Sequence, residues 1–470
     1  MANCKAISFI LFFVFKCLIV IGQDDVFKYV IYFADKDNSP YAIEQPDEYL
    51  SQAALDRRVK YNIPIHYTDL PVNNEYLENL SDLGYTVISN SRWLNAALIE
   101  TDSPIYSEDL SEETYIKDFT WVSLIREGGR NETITSEHQY SFIQTNPFRE
   151  YGEAYTQINM MNGQFLHRNG FKGEEMLIAV LDAGFNNVDN IEAFESLRSE
   201  NRIIGTMDFV DYDQDVYHSS SHGTSVLSTM AGVIENEYLG TAPKANYLLI
   251  RTEDTNSEQL IEEYNYVLGL EYADQMGANI ATVSLGYTTF NQVLMNHDTT
   301  ELDGNHLIAT VGADIAASKG ILVINSAGNK GNNPWKYISF PSDADSVFTI
   351  GAVDANLNRA NFSGIGYEKD GTIKPNVMAL GVDAAVIRSD GSIGFGNGTS
   401  YSTPILAGLV ACLWQVYPEK NNMEIIKAIE ESSSQSRSPD NFMGYGIPDF
   451  QAAFALLYPV SYTHLTLPTK

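Results

Sequence analysis

Four residues of this chain sit in settings suited to nucleophilic attack and proton transfer. Ser400 lies in NGTSYSTPILAGLVACLW, where Gly398 allows a tight turn and Pro404 suits the first turn of a helix. A serine at a helix start meets unpaired N–H groups and the positive end of the helix dipole, which favour developing negative charge. Taken alone, Ser400 could equally be a capping residue. His222 lies in SSHGTSVLSTMAG, where Gly223 permits close backbone approach; none of the seven other histidines has such a context. Asp182 closes the apolar run MLIAVLD and is followed by Ala183 and Gly184, so its carboxylate can face a cleft while the chain turns. Asn329 closes ILVINSAGN, and a side-chain amide just beyond a strand can donate to an oxyanion.

These residues need a scaffold. From about 157 to 458 short apolar runs alternate with helical stretches: 176–182, 247–253, 280–286, 321–329 and 347–353. Continuous apolar strands separated by helices predict a parallel sheet covered on both faces. Sites in such sheets lie beyond the carboxyl ends of the strands, where Asp182 and Asn329 fall. The stretch after Ser400 is apolar all round and is expected to be a buried helix. Upstream, KYVIYF (28–33) reads as a strand, 47–60 and 74–83 as helices, and TVIS, WLNAALIE and 119–125 as further strands. This is a small α+β unit. Residues 127–149 are polar, without apolar period, and read as an exposed linker.

Composition narrows the function. Acidic residues outnumber basic ones 61 to 29, a formal charge of −32, which disfavours nucleic acid and anionic membranes as partners. Residues 1–23 carry Lys5 and the apolar stretch 7–21, broken only by Lys16, and read as a signal peptide rather than a spanning helix. Of three cysteines only Cys412 would remain after cleavage, in the apolar run AGLVACLW, where a buried thiol is expected and no intrachain disulfide can form.

The order Asp…His…Ser is that of subtilisin-like triads. The blocks VLDAG, HGTSV, SLG, NSAGN and GTSYSTP resemble those of the subtilase family, in family order, over about 157–458. SRWLNAALIE, LLIRTEDTNSE, AGNKGNNPW and YGIPDF resemble secreted subtilases of Bacteroidetes-type bacteria. DAG stands where DTG or DSG is commoner, and Tyr401-Ser402 where Met-Ala is usual.

The resemblance implies a three-layer α/β fold with a central, mostly parallel sheet, preceded by a propeptide-like domain at 24–126 and a cleavage region at 127–156. It implies Asp182, His222 and Ser400 as triad, Asn329 as oxyanion donor, and Ser284, Leu285, Gly286, Ala327 and Gly328 as substrate-binding walls. It implies a secreted, monomeric serine endopeptidase made as a zymogen. Its partners would be polypeptide substrates and its own propeptide, with no stable membrane association after processing. No cofactor is required for the chemistry; structural calcium could bind at Asp211, Asp213 and Asp215, though a solvated loop is the alternative. Residues 459–470, PVSYTHLTLPTK, resemble translated vector or adapter sequence and are set apart from the fold.

Two other readings compete. A non-catalytic surface or binding protein on the same scaffold has no need of the triad and Asn329 together. A sedolisin-like acid peptidase would carry Glu where His222 stands. No HExxH occurs for a zinc peptidase.

Overall fold

The structure, a computed structural model, describes residues 25–125, 150–367 and 371–458. The expected signal peptide, most of the linker and the C-terminal tail lie outside the described residues. Residues 26–125 form an α+β unit: β1 (Val26–Phe33), α1 (Gln52–Lys60), α2 (Asn74–Asp82), β2 (Thr86–Ser91), β3 (Ala96–Thr101) and β4 (Ile116–Ile125). Its sheet has the order β2-β3-β1-β4 and is antiparallel throughout. The helix expected over 47–60 is divided. Pro46–Glu48 form a single 3₁₀ turn, and α1 begins afresh because the Ser51 hydroxyl caps it, accepting from Ala54 N at 3.2 Å.

The strands of this sheet sort their side chains by the two-residue period. Phe27, Tyr29, Ile31 and Phe33 pack with Leu80 of α2 on one face. Val30, Leu98 and Val122 turn the other way and, with Trp93 from the turn between β2 and β3, enter a core shared with the larger unit. The sheet is therefore covered on both faces along β1 and β3, whose sequences are apolar on both sides, while β2 and the first half of β4 stay largely open to solvent.

The larger unit follows in the order α3 (Tyr155–Asn159), α4 (Gln164–Arg168), β5 (Leu177–Asp182), α5 (Glu195–Ser199), β6 (Ile203–Asp208), α6 (His222–Ala231), a small hairpin of β7 (Val233–Ile234) and β8 (Tyr238–Leu239), β9 (Asn246–Arg251), α7 (Ile261–Met276), β10 (Ile280–Val283), α8 (Ile308–Ser318), β11 (Leu322–Ser326), β12 (Phe348–Val353), β13 (Val377–Leu380), β14 (Ala384–Ile387), β15 (Ile393–Gly396), α9 (Thr399–Val416), α10 (Asn422–Ser432) and α11 (Phe450–Leu457). Seven strands make one sheet in the order β13-β12-β11-β10-β5-β9-β6, and every pairing in it is parallel. The core on one face holds α6 and α9, and that on the other holds α7 and α8. Tyr151 and Ala154 are already fully buried in the first of these cores, so packing of the large unit starts before residue 157. Among the described residues, no helix is long and apolar enough to cross a membrane.

The small sheet lies on α7 and α8, and charge as well as apolar surface joins the two units. Asp274 of α7 is fully buried and meets three arginines of the small unit. It pairs with Arg57, with Arg58 at 3.0 Å and with Arg92 at 2.9 Å. Arg58 also reaches Asp69 at 2.6 Å, and Lys319 of the large unit reaches the same carboxylate at 3.0 Å.

Candidate active site

Asp182 is the last residue of β5, and its carboxylate is fully buried. His222 is the first residue of α6. The two meet because α6 approaches the strand end closely at Gly223. A Cβ there would stand 2.4 Å from the Gly184 carbonyl oxygen and 3.0 Å from Asp182 Cβ. His222 Nδ1 lies 2.8 and 3.0 Å from the two Asp182 carboxylate oxygens. Asp182 Oδ1 also accepts from Ala183 N at 2.7 Å, which fixes the carboxylate. Burial opposes the charged imidazolium, but the Asp182 charge and hydrogen bond outweigh it, so the His222 pKa is raised above its ordinary value.

Ser400 is the second residue of α9, whose body is buried from Ser402 to Trp414. Pro404 sits at the sixth helical position, not in the first turn as expected. Lacking an N–H, it leaves the Ser400 carbonyl without its usual partner four residues on. The Ser284 hydroxyl takes that place, donating to Ser400 O at 2.8 Å. The Ser400 hydroxyl donates in turn to Ser284 O at 3.3 Å, which ties the serine to the chain leaving β10. The His222 ring stands beside Tyr401, with ring centroids 6.3 Å apart. The Ser400 hydroxyl thus bonds to Ser284 rather than to the imidazole, and in substrate-free sites such catalytic hydrogen bonds often form only when substrate is bound.

Asn329 follows β11. Its Oδ1 accepts from Thr399 N at 2.9 Å and from the Thr399 hydroxyl at 3.0 Å, which orients the amide. The Nδ2 group and the Ser400 N–H then share one small space. A Cβ built on Gly398 would lie 3.4 Å from Asn329 Nδ2 and 3.6 Å from Ser400 N. Gly398 has φ 154° and ψ 154°, a region almost confined to glycine. Gly398→Ala is therefore expected to fill the space where two donors converge and to lower kcat by about 10²–10³, the cost of losing such a donor. Steady-state kinetics on a variant that still melts cooperatively checks this; an unchanged kcat would place the oxyanion elsewhere.

Ser284, Leu285 and Gly286 continue from β10, and Ala327, Gly328 and Asn329 from the neighbouring β11. The Leu285 carbonyl accepts from Asn325 Nδ2 and from the Ser326 hydroxyl, both at 3.2 Å, so the two walls are joined at their base. Ser339 was not singled out in the sequence. A Cβ on Gly286 would come within 2.8 Å of its Cβ, and one on Gly328 within 2.3 Å of its hydroxyl. The serine fills the floor between the walls, and only the fold brings it there. Glu253, two residues beyond β9, was also missed; it lies beside His222, where Thr252 N donates to Asp182 O at 3.0 Å.

The three aspartates suggested for calcium do not converge on one point. Asp213 and Asp215 each accept from a backbone N–H two residues on. Asp211 groups instead with Asp208 and His218. Arg251 Nη1 stands between the two carboxylates, 2.7 Å from Asp208 and 2.5 Å from Asp211. That guanidinium already supplies the positive charge, so these residues do not fit a calcium ion.

Comparison with known proteins finds matches for both units of the chain. The subtilase family model matches residues 173–446, and the model of the peptidase S8 propeptide domain, Bacteroidota, matches residues 28–139. Subtilisin NAT of Bacillus subtilis subsp. natto is 28% identical over 300 residues, covering 63% of this chain and 70% of its own. Subtilisin of Bacillus pumilus is 28% identical over 300 residues, covering 63% of this chain and 97% of its own. The solved structure of MycP1 from Mycobacterium smegmatis shares the fold, with a TM-score of 0.52 at 19% identity, covering 73% of this chain and 93% of that one.

Proposed function

The chain belongs to the subtilase family of serine endopeptidases, and we propose that it cuts polypeptides through an Asp182–His222–Ser400 triad once its own propeptide has been removed. The observation that carries this reading is the pairing of His222 Nδ1 with the buried Asp182 while Asn329 Nδ2 and Ser400 N face one space.

In this reading Ser400 Oγ attacks the scissile carbonyl carbon. His222 Nε2 takes the serine proton as the C–O bond forms, then delivers it to the leaving amine as the C–N bond breaks. Asp182 holds the Nδ1 proton, so that Nε2 is the basic nitrogen, and stabilises the imidazolium. Asn329 Nδ2 and Ser400 N donate to the oxyanion. Water then attacks the acyl carbon as His222 Nε2 takes its proton, and the bond from that carbon to Ser400 Oγ breaks as the proton passes to Oγ, releasing the acid product. The extended substrate lies along Ser284–Gly286 as an added strand, and its scissile side chain enters the slot above Ser339. No cofactor enters the chemistry.

Residues 24–126 act as the propeptide, cleavage falls within 127–156, and residues 157–458 carry the peptidase. The mature protein is a secreted monomer. The support for secretion is the N-terminal segment, with Lys5 ahead of the apolar stretch 7–21.

A fluorophosphonate probe tests the reading. It is expected to label the processed protein at Ser400, located by peptide mapping. Labelling should be slow at acid pH, where the imidazolium cannot accept a proton, and should rise through the His222 titration. Because that pKa is raised, the rise falls above the pH of about 6.5 at which a free imidazole titrates. Label on another residue, or none on processed protein at any pH, refutes the triad.

A further inference from the structure

The α1 segment of the small unit grips the large unit at the end opposite the catalytic cleft. α7 and α8 run back along the parallel sheet, so their last turns stand at the amino ends of β10 and β11, whereas Asp182, Ser284 and Asn329 stand at the carboxyl ends of their strands. Ala278 and Ser284 bracket β10 and lie about 20 Å apart at ~3.3 Å per strand residue. Each helix is followed by a glycine of positive φ, 82° at Gly277 and 90° at Gly320. A Cβ on Gly277 would lie 2.7 Å from Ala53 Cβ, and one on Gly320 2.8 Å from Ile63 Cδ1, so both glycines make room for the small unit. Between these footholds Arg57 donates from Nε to Lys319 O at 3.0 Å and from Nη1 to Ala278 O at 2.8 Å, and pairs with Asp274. Arg58 meets both Asp274 carboxylate oxygens at 3.0 Å. Lys319 reaches the other way, to Asp69 at 3.0 Å and to the Thr68 hydroxyl at 2.8 Å. Farther out, the Tyr61 ring lies 6.1 Å from that of Trp414.

The acceptors of this seat belong to the large unit and stay with it when residues 25–125 leave. The Asp274 carboxylate is then left at the negative ends of two helices, beside carbonyls that the fold holds in place. Such a set calls for a cation. Lys319 is the nearest one of the large unit, and both Asp274 and Asp69 act on its ammonium. An ammonium is a point donor on a flexible stem, whereas the acceptors on Asp274, Ala278 and Lys319 are spread to match the planar fork of a guanidinium. Lys319 therefore does not replace the arginines.

We propose that the vacated seat is a second polypeptide-binding site of the processed enzyme, which takes two adjacent arginines of another polypeptide and holds that polypeptide within reach of the cleft. The pair is recognised as Arg57 and Arg58 are in the precursor. One guanidinium lies on the carbonyls of Ala278 and Lys319, and the other lies across the Asp274 carboxylate. The inference rests on the maturation step of the reading above and not on its triad. A flexible stretch of about 20 residues has an r.m.s. length of about 25 Å, so one chain can fill the seat and enter the cleft together. Charged hydrogen bonds of this kind are expected to tighten Kd about 10- to 100-fold over an uncharged pair.

The test uses processed enzyme freed of residues 25–125 and blocked at Ser400 by the fluorophosphonate, so that the probe is not cut. The probe is a dye-labelled, alanine-rich peptide with one Arg-Arg pair. Its fluorescence anisotropy is compared with that of versions carrying Lys-Lys or two uncharged citrullines. The arginine peptide is expected to bind about tenfold tighter than either. Asp274→Asn should remove the difference, and the unprocessed Ser400→Ala precursor, whose seat is filled, should show none. The precursor and peptide comparisons decide the question even where Asp274→Asn does not mature. Absence of an arginine preference, or equal binding by precursor and processed enzyme, would mean general attraction to an acidic surface and overturns the seat. Fully active enzyme that keeps residues 25–125 also overturns it, because the seat is then never vacated. Protein that sheds residues 25–125 yet takes no label refutes the triad alone, and an arginine preference measured in that protein still upholds the seat.

Discussion

Replacing Ser400 by alanine is expected to lower kcat by about 10⁶, the scale measured when subtilisin loses its nucleophile. The size of the loss follows from the geometry. Asp182 and His222 form a finished acid–base pair, but a base with no hydroxyl to deprotonate contributes nothing to attack. What survives is catalysis from the oxyanion donors and substrate binding alone. The fold has no stake in the hydroxyl, whose hydrogen bond is to Ser284 O at 3.3 Å and lies at the edge of the cleft. The backbone contact from the Ser284 hydroxyl to Ser400 O is independent of the side chain. Ser400→Ala should therefore melt like the unprocessed wild type. It should also accumulate as a precursor retaining residues 25–125 when made without other proteases, while wild type is cut within 127–156. Peptide hydrolysis and N-terminal sequencing of both proteins check this. Wild-type hydrolysis by a folded Ser400→Ala protein would remove Ser400 from the mechanism.

What the sequence made legible, and what it hid, divides by distance along the chain. Asp182, His222, Asn329 and Ser400 are each embedded in a short block whose glycines and apolar flanks are contiguous with the reactive residue, so each announces a strand end or helix start on its own. The parallel sheet was legible for a similar reason, since strands covered on both faces are apolar without interruption. The division of 47–60 at Ser51 was not, because the apolar period continues past a cap that competes locally. Pro404 lies deeper in its helix than the local sequence suggests. Its place in the helix is tolerated because Ser284, 116 residues away, satisfies the carbonyl that proline leaves open. Ser339 between two glycine-bearing walls, and Glu253 beside the histidine, are likewise products of packing. Nothing local distinguishes Asp211, Asp213 and Asp215 from a calcium loop; the arginine that answers Asp211 comes from 40 residues away.

The charge network under the small sheet yields the other large effect. Asp274→Asn keeps the shape of the side chain but removes the anion facing Arg57, Arg58 and Arg92. Breaking a buried ion pair by removing one partner costs about 3–5 kcal/mol, because the remaining charges stay desolvated. Burial raises the Asp274 pKa, but Arg57 and Arg58 more than offset this and hold it below the ordinary carboxylate value. Its contribution is then fully present above the unfolded pKa of about 3.9 and is lost only as pH falls through the lower folded value. The substitution should therefore act across the neutral range. The partners decide where it acts. All three arginines belong to the small unit, so the loss falls on the precursor. In the processed enzyme, once the propeptide has left, Asp274 faces no arginine from that unit and the same substitution should cost little. In a Ser400→Ala background, which keeps the precursor intact, Asp274→Asn is expected to lower the urea midpoint and to expose residues 25–125 to an added protease. Equal destabilisation of precursor and processed enzyme would show that Asp274 serves α7 itself rather than the seat of the propeptide.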